Sequence, residues 1–311
     1  MNLELDDDQN AILEAVESLL DRIAGPTRAI DLAREAAYDA VLDDAIRESG
    51  FEQAMDPLSR AGALETVLIV EAVARRAGVT SFAQEALVGP AVAGRPIRGP
   101  VALANADPKQ PVRYAAQARF CLWSDGDVAR IAEVGAGETE QVESNFGYPL
   151  GRISSEVFQR GEALGAGSGE RLASWWRVAL AAEAVGTMAA ALEQTVSYLK
   201  ERKQFGRPIA SFQAVQHRLA ECAVRVEGSR LLVYEAAYLD APTEASACAA
   251  AHAMTSARQV FRETHQLSGA IGFTREHDLH VWSMRLQALG AELAGPAGHR
   301  RALAASRWGL G

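Results

Sequence analysis

Apolar positions recur at helical spacing in two long stretches of the chain and lose that spacing between them. In the first stretch, residues 6–92, Ile12, Val16, Leu19 and Ile23 return every three to four residues. The acidic run Asp6–Asp8 ahead of them suits the positive end of a helix. A second such pattern runs through Leu64, Val67, Leu68 and Ala72. From residue 171 the period returns. Val178, Ala182, Val185, Ala189, Leu192, Val196 and Leu199 place one apolar stripe along a helix of about seven turns. Phe212, Val215, Leu219, Cys222, Val226 and Val233 build the next helix. A third is expected from Thr243, as N-cap, to Ser268, where Gly269 can terminate it. Leu279, Trp282, Leu286, Leu289 and Leu293 mark a fourth. Long amphipathic helices with short connections favour an antiparallel four-helix bundle.

Between these stretches, "GPAVAGRPIRGPVALANADPKQP" is dense in helix-breaking Gly and Pro. "ARFCLWSDGDVARIAEVG" follows, with two β-prone runs flanking Ser-Asp-Gly-Asp, a hairpin signal. The expected fold is mainly α with a small β domain: an N-terminal helical domain over 1–96, a reduced middle β domain over 97–165 and a C-terminal four-helix bundle over 166–311.

Composition narrows the function. Forty acidic residues against 31 basic ones give a net charge of −9, so there is no general positive field to draw a nucleic-acid backbone. No apolar run reaches the ~20 residues that span a bilayer. The acidic start "MNLELDDDQN" lacks the basic and apolar regions of a secretion signal, so a cytoplasmic location is expected. Cys121, Cys222 and Cys248 are isolated and suggest neither a disulfide framework nor a zinc site. His277 and His280, with Glu276, could share a helical face as metal ligands, but a capping or core-edge role explains Asp278 and His280 more simply, and no metal is expected.

The junction between the first two bundle helices carries the strongest chemical signal. In "YLKERKQFGRPIASFQAVQHRLAE", Arg202 falls near a helix C-terminus, where a cation is favourable. A solvated basic helix end would account for the charge alone. Gln204, Phe205, Gly206, Pro208, Phe212 and Gln213 add amides and aromatic faces to that guanidinium, a mixture suited to a nucleotide cofactor.

This run resembles the signature of the acyl-CoA dehydrogenases, an Arg-x-Gln-Phe-Gly segment followed by Phe-Gln. "HQLSGAIGFTREHDLH" is similar to the same family's Gln-x-x-Gly-Gly-x-Gly-Phe/Tyr-Thr region. The resemblance implies an FAD enzyme that desaturates the α,β bond of an acyl-CoA and passes electrons to electron-transfer flavoprotein. It implies that Arg202 pairs with the FAD pyrophosphate, that Gln204 and Phe205 line the cofactor and that Gln213 reaches the adenine end. Gln266, Gly269 and Ala270 would serve the same flavin, held mainly by a neighbouring subunit. Ala270 stands where the family motif has its second glycine.

Two parts of the family pattern are thin. The catalytic glutamate of most members lies in a loop after the fourth helix. Here an ungapped match gives Leu293, and a one-residue gap gives Glu292. Members that carry the base on the first bundle helix would have it at Trp176. The β region keeps neither the Gly-x-Gly-Ser-Asp segment nor the Trp-Ile-Thr/Ser run that flanks the flavin ring. This asymmetry is similar to the shortened subunits of heteromeric bacterial acyl-CoA dehydrogenases, found in steroid side-chain degradation among other settings. The leading expectation is a subunit that completes the FAD site of a catalytic partner, in a heterotetramer. The alternatives are a self-sufficient homo-oligomer using Glu292 as base and a flavin-free scaffold subunit.

Overall fold

The computed structural model describes residues 4–51, 55 and 61–309. The N-terminal region consists of α1 (Asp7–Ile23), α2 (Pro26–Arg34), α3 (Ala40–Glu48) and α4 (Ala63–Arg75), then a π-helical turn at Ala83–Val88 that runs into α5 (Gly89–Ala93). Asp6 and Gln9 close a reciprocal capping box on α1, and Gln9 also donates to Glu65 at 2.8 Å, tying α1 to α4.

The middle region holds β1 (Val101–Ala104), β2 (Val112–Arg113), β3 (Phe120–Asp125), β4 (Val128–Glu133), β5 (Thr139–Val142), β6 (Leu150–Ile153), α6 (Ser155–Gln159) and β7 (Glu162–Ala166). They form two small sheets, ordered β1-β3-β4-β7 and β2-β6-β5. β3 and β4 pair antiparallel from Phe120↔Glu133 to Asp125↔Val128, so the Ser-Asp-Gly-Asp run is the expected hairpin. A small core of Ala102, Cys121, Trp123, Ile153 and Val157 fills this region.

The remainder is α7 (Ser168–Glu201), a minimal hairpin of β8 (Lys203–Gln204) and β9 (Arg207–Pro208), α8 (Gln213–Tyr238), α9 (Thr243–Ser268), α10 (Leu279–Leu289) and α11 (Gly295–Trp308). α7 is about 50 Å long and forms the axis of the molecule. Between Val178 and Ala191 every residue is buried. That corrects the one-sided stripe expected from periodicity. The positions between the stripe residues are mostly alanine, which lets α4, α8, α9 and α10 approach from several sides. Gly186 marks the tightest crossing: a Cβ there would come within 2.1 Å of the Glu71 carbonyl on α4.

The fourth bundle helix also differs from expectation. α10 stops at Leu289 with Gly290 as its cap, and Leu293 takes left-handed angles (φ 49°, ψ 42°) in a 3-10 turn before α11 restarts at Gly295-Pro296. Proline is well suited to the first turn of a helix, so the chain bends here instead of continuing. Glu292 therefore sits on a turn, aimed inward. Among the described residues no helix is long and apolar enough to cross a membrane.

Candidate functional site

The Phe-Gly of the first motif is explained by the hairpin between α7 and α8. Lys203 pairs with Pro208 and Gln204 with Arg207, leaving Phe205-Gly206 as a two-residue loop. Both loop residues have positive φ, 54° and 81°, as a type I′ turn requires. Glycine adopts this freely. Phenylalanine does so at a cost of roughly 1–2 kcal/mol, and Phe205 recovers little of it by burial, being 91% exposed. Its ring meets only the edge of Phe212 at 6.2 Å, and Arg207 stacks on the other aromatic at 4.1 Å.

Arg202 caps α7, with its backbone N–H on the Tyr198 carbonyl at 2.9 Å. Its guanidinium is exposed and, among the described residues, has no hydrogen-bond or ion-pair partner. Gln204, Gln213 and Gln266 are likewise exposed, with no side-chain hydrogen bond within the described chain. Gly269 ends α9 at φ 64°, and a Cβ there would meet nothing within 4 Å. Ala270 is exposed beside it, and its methyl therefore crowds nothing inside the chain. The two motifs share one end of the bundle, because α8 begins where α9 ends. Arg218 pairs with Glu263 across the two helices at 2.5 Å, and Tyr198 lies 5.3 Å from His277. An unpaired fork-shaped cation, three free amides, an exposed strained aromatic and an open glycine cradle thus lie at one end of the bundle. This donor set fits a dinucleotide lying against the surface.

The second candidate region is the inside of the molecule around Glu292, and its state is the opposite. Arg113, at the end of β2, donates through Nη1 and Nη2 to both oxygens of Glu183 on α7, each at 2.9 Å. Its Nε donates to Glu292 at 2.5 Å. The second Glu292 oxygen accepts the indole N–H of Trp176 at 2.6 Å. The two positions at which the family resemblance looks for a base are therefore in direct contact with each other. Arg113 lies 4.9 Å from the ring centre of Tyr148, with Tyr114 edge-on behind. Burial raises the Glu292 pKa, and Arg113 only partly offsets that. Burial also opposes the charge of Arg113, but Glu183 and Glu292 outweigh it and hold the guanidinium firmly protonated. The space left beside Tyr114, Tyr148 and Glu183, towards α4, is about 10 Å³, hardly room for a water molecule.

Sequence reasoning missed Arg113 and Glu183. Arg113 sits in a stretch with no motif. Glu183 had a readable signal, being the only acid between Glu170 and Glu193 in an otherwise small and apolar helix.

Residues 169–306 match the family model described as the acyl-CoA dehydrogenase C-terminal domain. The bundle domain belongs to the acyl-CoA dehydrogenase family. Acyl-CoA dehydrogenase IpdE2 of Mycolicibacterium smegmatis is 34% identical over 180 residues, covering 55% of this chain and 56% of that protein. Its namesake in Mycobacterium tuberculosis is 38% identical over 133 residues, covering 42% and 41%. The chain thus spans about half the length of these relatives or less. The fold likeness extends further. A chain of the ChsE4-ChsE5 complex from Mycobacterium tuberculosis superposes with a TM-score of 0.82 at 20% identity, over 97% of both chains. The mainly α fold with a small β domain and a C-terminal bundle is therefore that of the acyl-CoA dehydrogenases.

Proposed function

We propose that this chain is a subunit of an acyl-CoA dehydrogenase that completes the FAD site of a catalytic partner subunit and does not itself carry out proton abstraction. The observation that carries the reading is the contrast between an unsatisfied Arg202 end and a saturated Glu292. FAD, when bound, accepts the hydride from the β carbon of the acyl-CoA. In this reading Arg202 grips the pyrophosphate with two charge-assisted hydrogen bonds. Gln204 and Phe205 cover the cofactor, Gln213 offers donor and acceptor to the adenine end, and Gln266 with the Gly269-Ala270 backbone closes the other side. The partner would supply the base and the ring pocket, and electron-transfer flavoprotein would receive the electrons.

Glu292 is poorly placed to remove an α proton. A base needs a free lone pair facing substrate, and here one oxygen accepts from Arg113 and the other from Trp176. The role assigned to it is structural.

The test is co-production with a candidate partner subunit, followed by measurement of subunit and flavin stoichiometry. One FAD per pair is expected, and Arg202→Ala should weaken flavin retention by roughly ten- to a hundredfold, as the loss of charged hydrogen bonds implies. Glu292→Gln should leave turnover within about twofold, whereas a true base would lose orders of magnitude. Stoichiometric FAD with full turnover from this chain alone would overturn the reading.

A further inference from the structure

A groove of about 920 Å³ opens between α2, the loop joining β5 to β6, the end of α9 with the turn after it, and α10. This is within the size range of small-molecule sites. Arg202, Gln266, Gly269 and Ala270 do not line it, although His265, Gly272 and Phe273 of the second motif do, so it adjoins the proposed flavin-facing residues without containing them. Its walls are apolar over Ala29, Ala33, Phe261, Phe273, Val281 and Met284.

Two buried polar side chains in its lining carry unpaired nitrogens. Arg285 is fully buried. Its Nη1 donates to the Gly78 carbonyl at 3.0 Å and its guanidinium lies 4.8 Å from the ring centre of Tyr148, while Nε and Nη2 have no acceptor. Those two N–H groups form the side-on edge of a guanidinium, the edge that gives two parallel hydrogen bonds to a carboxylate. His265, also buried, is held between Phe261 at 4.4 Å and Phe273 at 4.9 Å, and neither ring nitrogen is bonded. Buried donors are paired in the great majority of cases, and leaving a charged one unmade is costly. Gly147, at φ 72°, lies against the guanidinium: a Cβ there would stand 3.4 Å from Arg285 Nε, so any side chain at this position would press on that edge. At the rim, Arg34 and Arg275 are balanced by Glu35 and Glu143, and Arg34 already pairs with Asp31 at 2.8 Å. Arg285 is the buried cation of the groove.

We propose that this groove binds a small organic monoanion, an apolar body bearing one carboxylate, with the carboxylate on the Nε–Nη2 edge of Arg285 and His265 as a further hydrogen-bonding group on the wall. Apolar walls with one buried bidentate cation select against a neutral alcohol, which cannot satisfy the edge, and against a bare inorganic anion, which leaves the walls wet.

Equilibrium dialysis of the full chain against octanoate, 1-octanol and inorganic phosphate tests this. The expected result is one saturable octanoate per chain, with octanol and phosphate each at least about tenfold weaker, a single charged hydrogen-bonded pair being worth that much. Arg285→Lys keeps the charge but loses the planar edge and should weaken octanoate about tenfold or more. Ala33→Trp fills the groove from α2 with Arg285 intact and should abolish binding. It decides the question alone if the lysine variant does not fold, which circular dichroism would report. Absence of saturable octanoate binding, equal binding of octanol or phosphate, or undiminished binding in Ala33→Trp would each overturn the proposal.

Discussion

The two ends of the Arg202–Glu292 contrast use the same chemical parts in opposite states. Around Glu292, a guanidinium, two carboxylates and an indole are buried together, and both Glu292 oxygens and all three kinds of guanidinium nitrogen are spoken for within the chain. Around Arg202, a guanidinium, three amides and an aromatic ring are exposed, and none of the polar side chains has a partner inside the described chain. A saturated cluster can hold domains together but has nothing left with which to meet a ligand. An unsatisfied one contributes little to the fold and is free to bind. By that criterion Arg113–Glu183–Glu292 is a clamp between the β region, α7 and the turn after α10, and the Arg202 end is the proposed binding surface.

The comparison breaks most directly at Arg113. Truncating it to alanine strands the buried Glu183 and the partly buried Glu292, and removal of one partner from a buried pair costs about 3–5 kcal/mol. Arg113→Ala should therefore lower the urea midpoint severely or prevent folding. The same truncation at exposed Arg202 should change stability by less than about 0.5 kcal/mol. If Arg113→Ala proved as mild as Arg202→Ala in chemical denaturation, the clamp would be no clamp.

The buried side should also dominate the pH dependence of stability. His299, on α11 just after the Glu292 turn, is fully buried with neither ring nitrogen bonded, and burial together with Arg177 lowers its pKa to about 4. The unfolded chain then binds a proton that the folded chain refuses. Stability is fully present above pH ~6.5 and falls as pH drops towards about 4, by ~3 kcal/mol for this group. His265, His277 and His252 shift in the same direction through burial. Glu292 works the other way. Its raised folded pKa makes the folded state the better proton acceptor, so its contribution is present below pH ~4.5 and declines as pH rises through the folded value. Denaturation between pH 4 and 7 should show a gentler slope in His299→Gln and a steeper one in Glu292→Gln. Identical slopes in the three proteins would remove both groups from the account.

How far the sequence reaches follows the same division. The Arg202 motif and the Gln266–Gly269 motif are contiguous runs at element boundaries, where local rules on caps, turns and charge apply, and they are legible in the order of residues alone. The Arg113–Glu183–Glu292–Trp176 cluster is assembled from elements up to 179 residues apart, and no local pattern encodes such a meeting. Glu183 stands out as a lone acid in an apolar helix, but its partner does not. Periodicity reads α7 as one-sided because alanine scores weakly as an apolar marker, although small residues are what allow neighbours on every side. The break at Leu293 is hidden for a related reason: leucine spacing continues through it, and the Gly290 and Pro296 that bend the chain lie three residues to either side.

The smallest expected effect gives the finest test of the contrast. Phe205 holds a left-handed conformation that asparagine tolerates well, and Asn-Gly is the preferred pair for a type I′ loop. With the ring 91% exposed, the fold loses almost no burial on substitution. Phe205→Asn should therefore stabilise the isolated chain by about 0.5–1 kcal/mol, read as a small rise in melting temperature. In complex with a flavin-holding partner the same variant should retain FAD less well, because the aromatic face is gone. Stability rising while cofactor retention falls would show strain maintained for binding. A variant that gained stability and kept FAD unchanged would leave the strained phenylalanine without a function, and the binding surface would then rest on Arg202 and the amides alone.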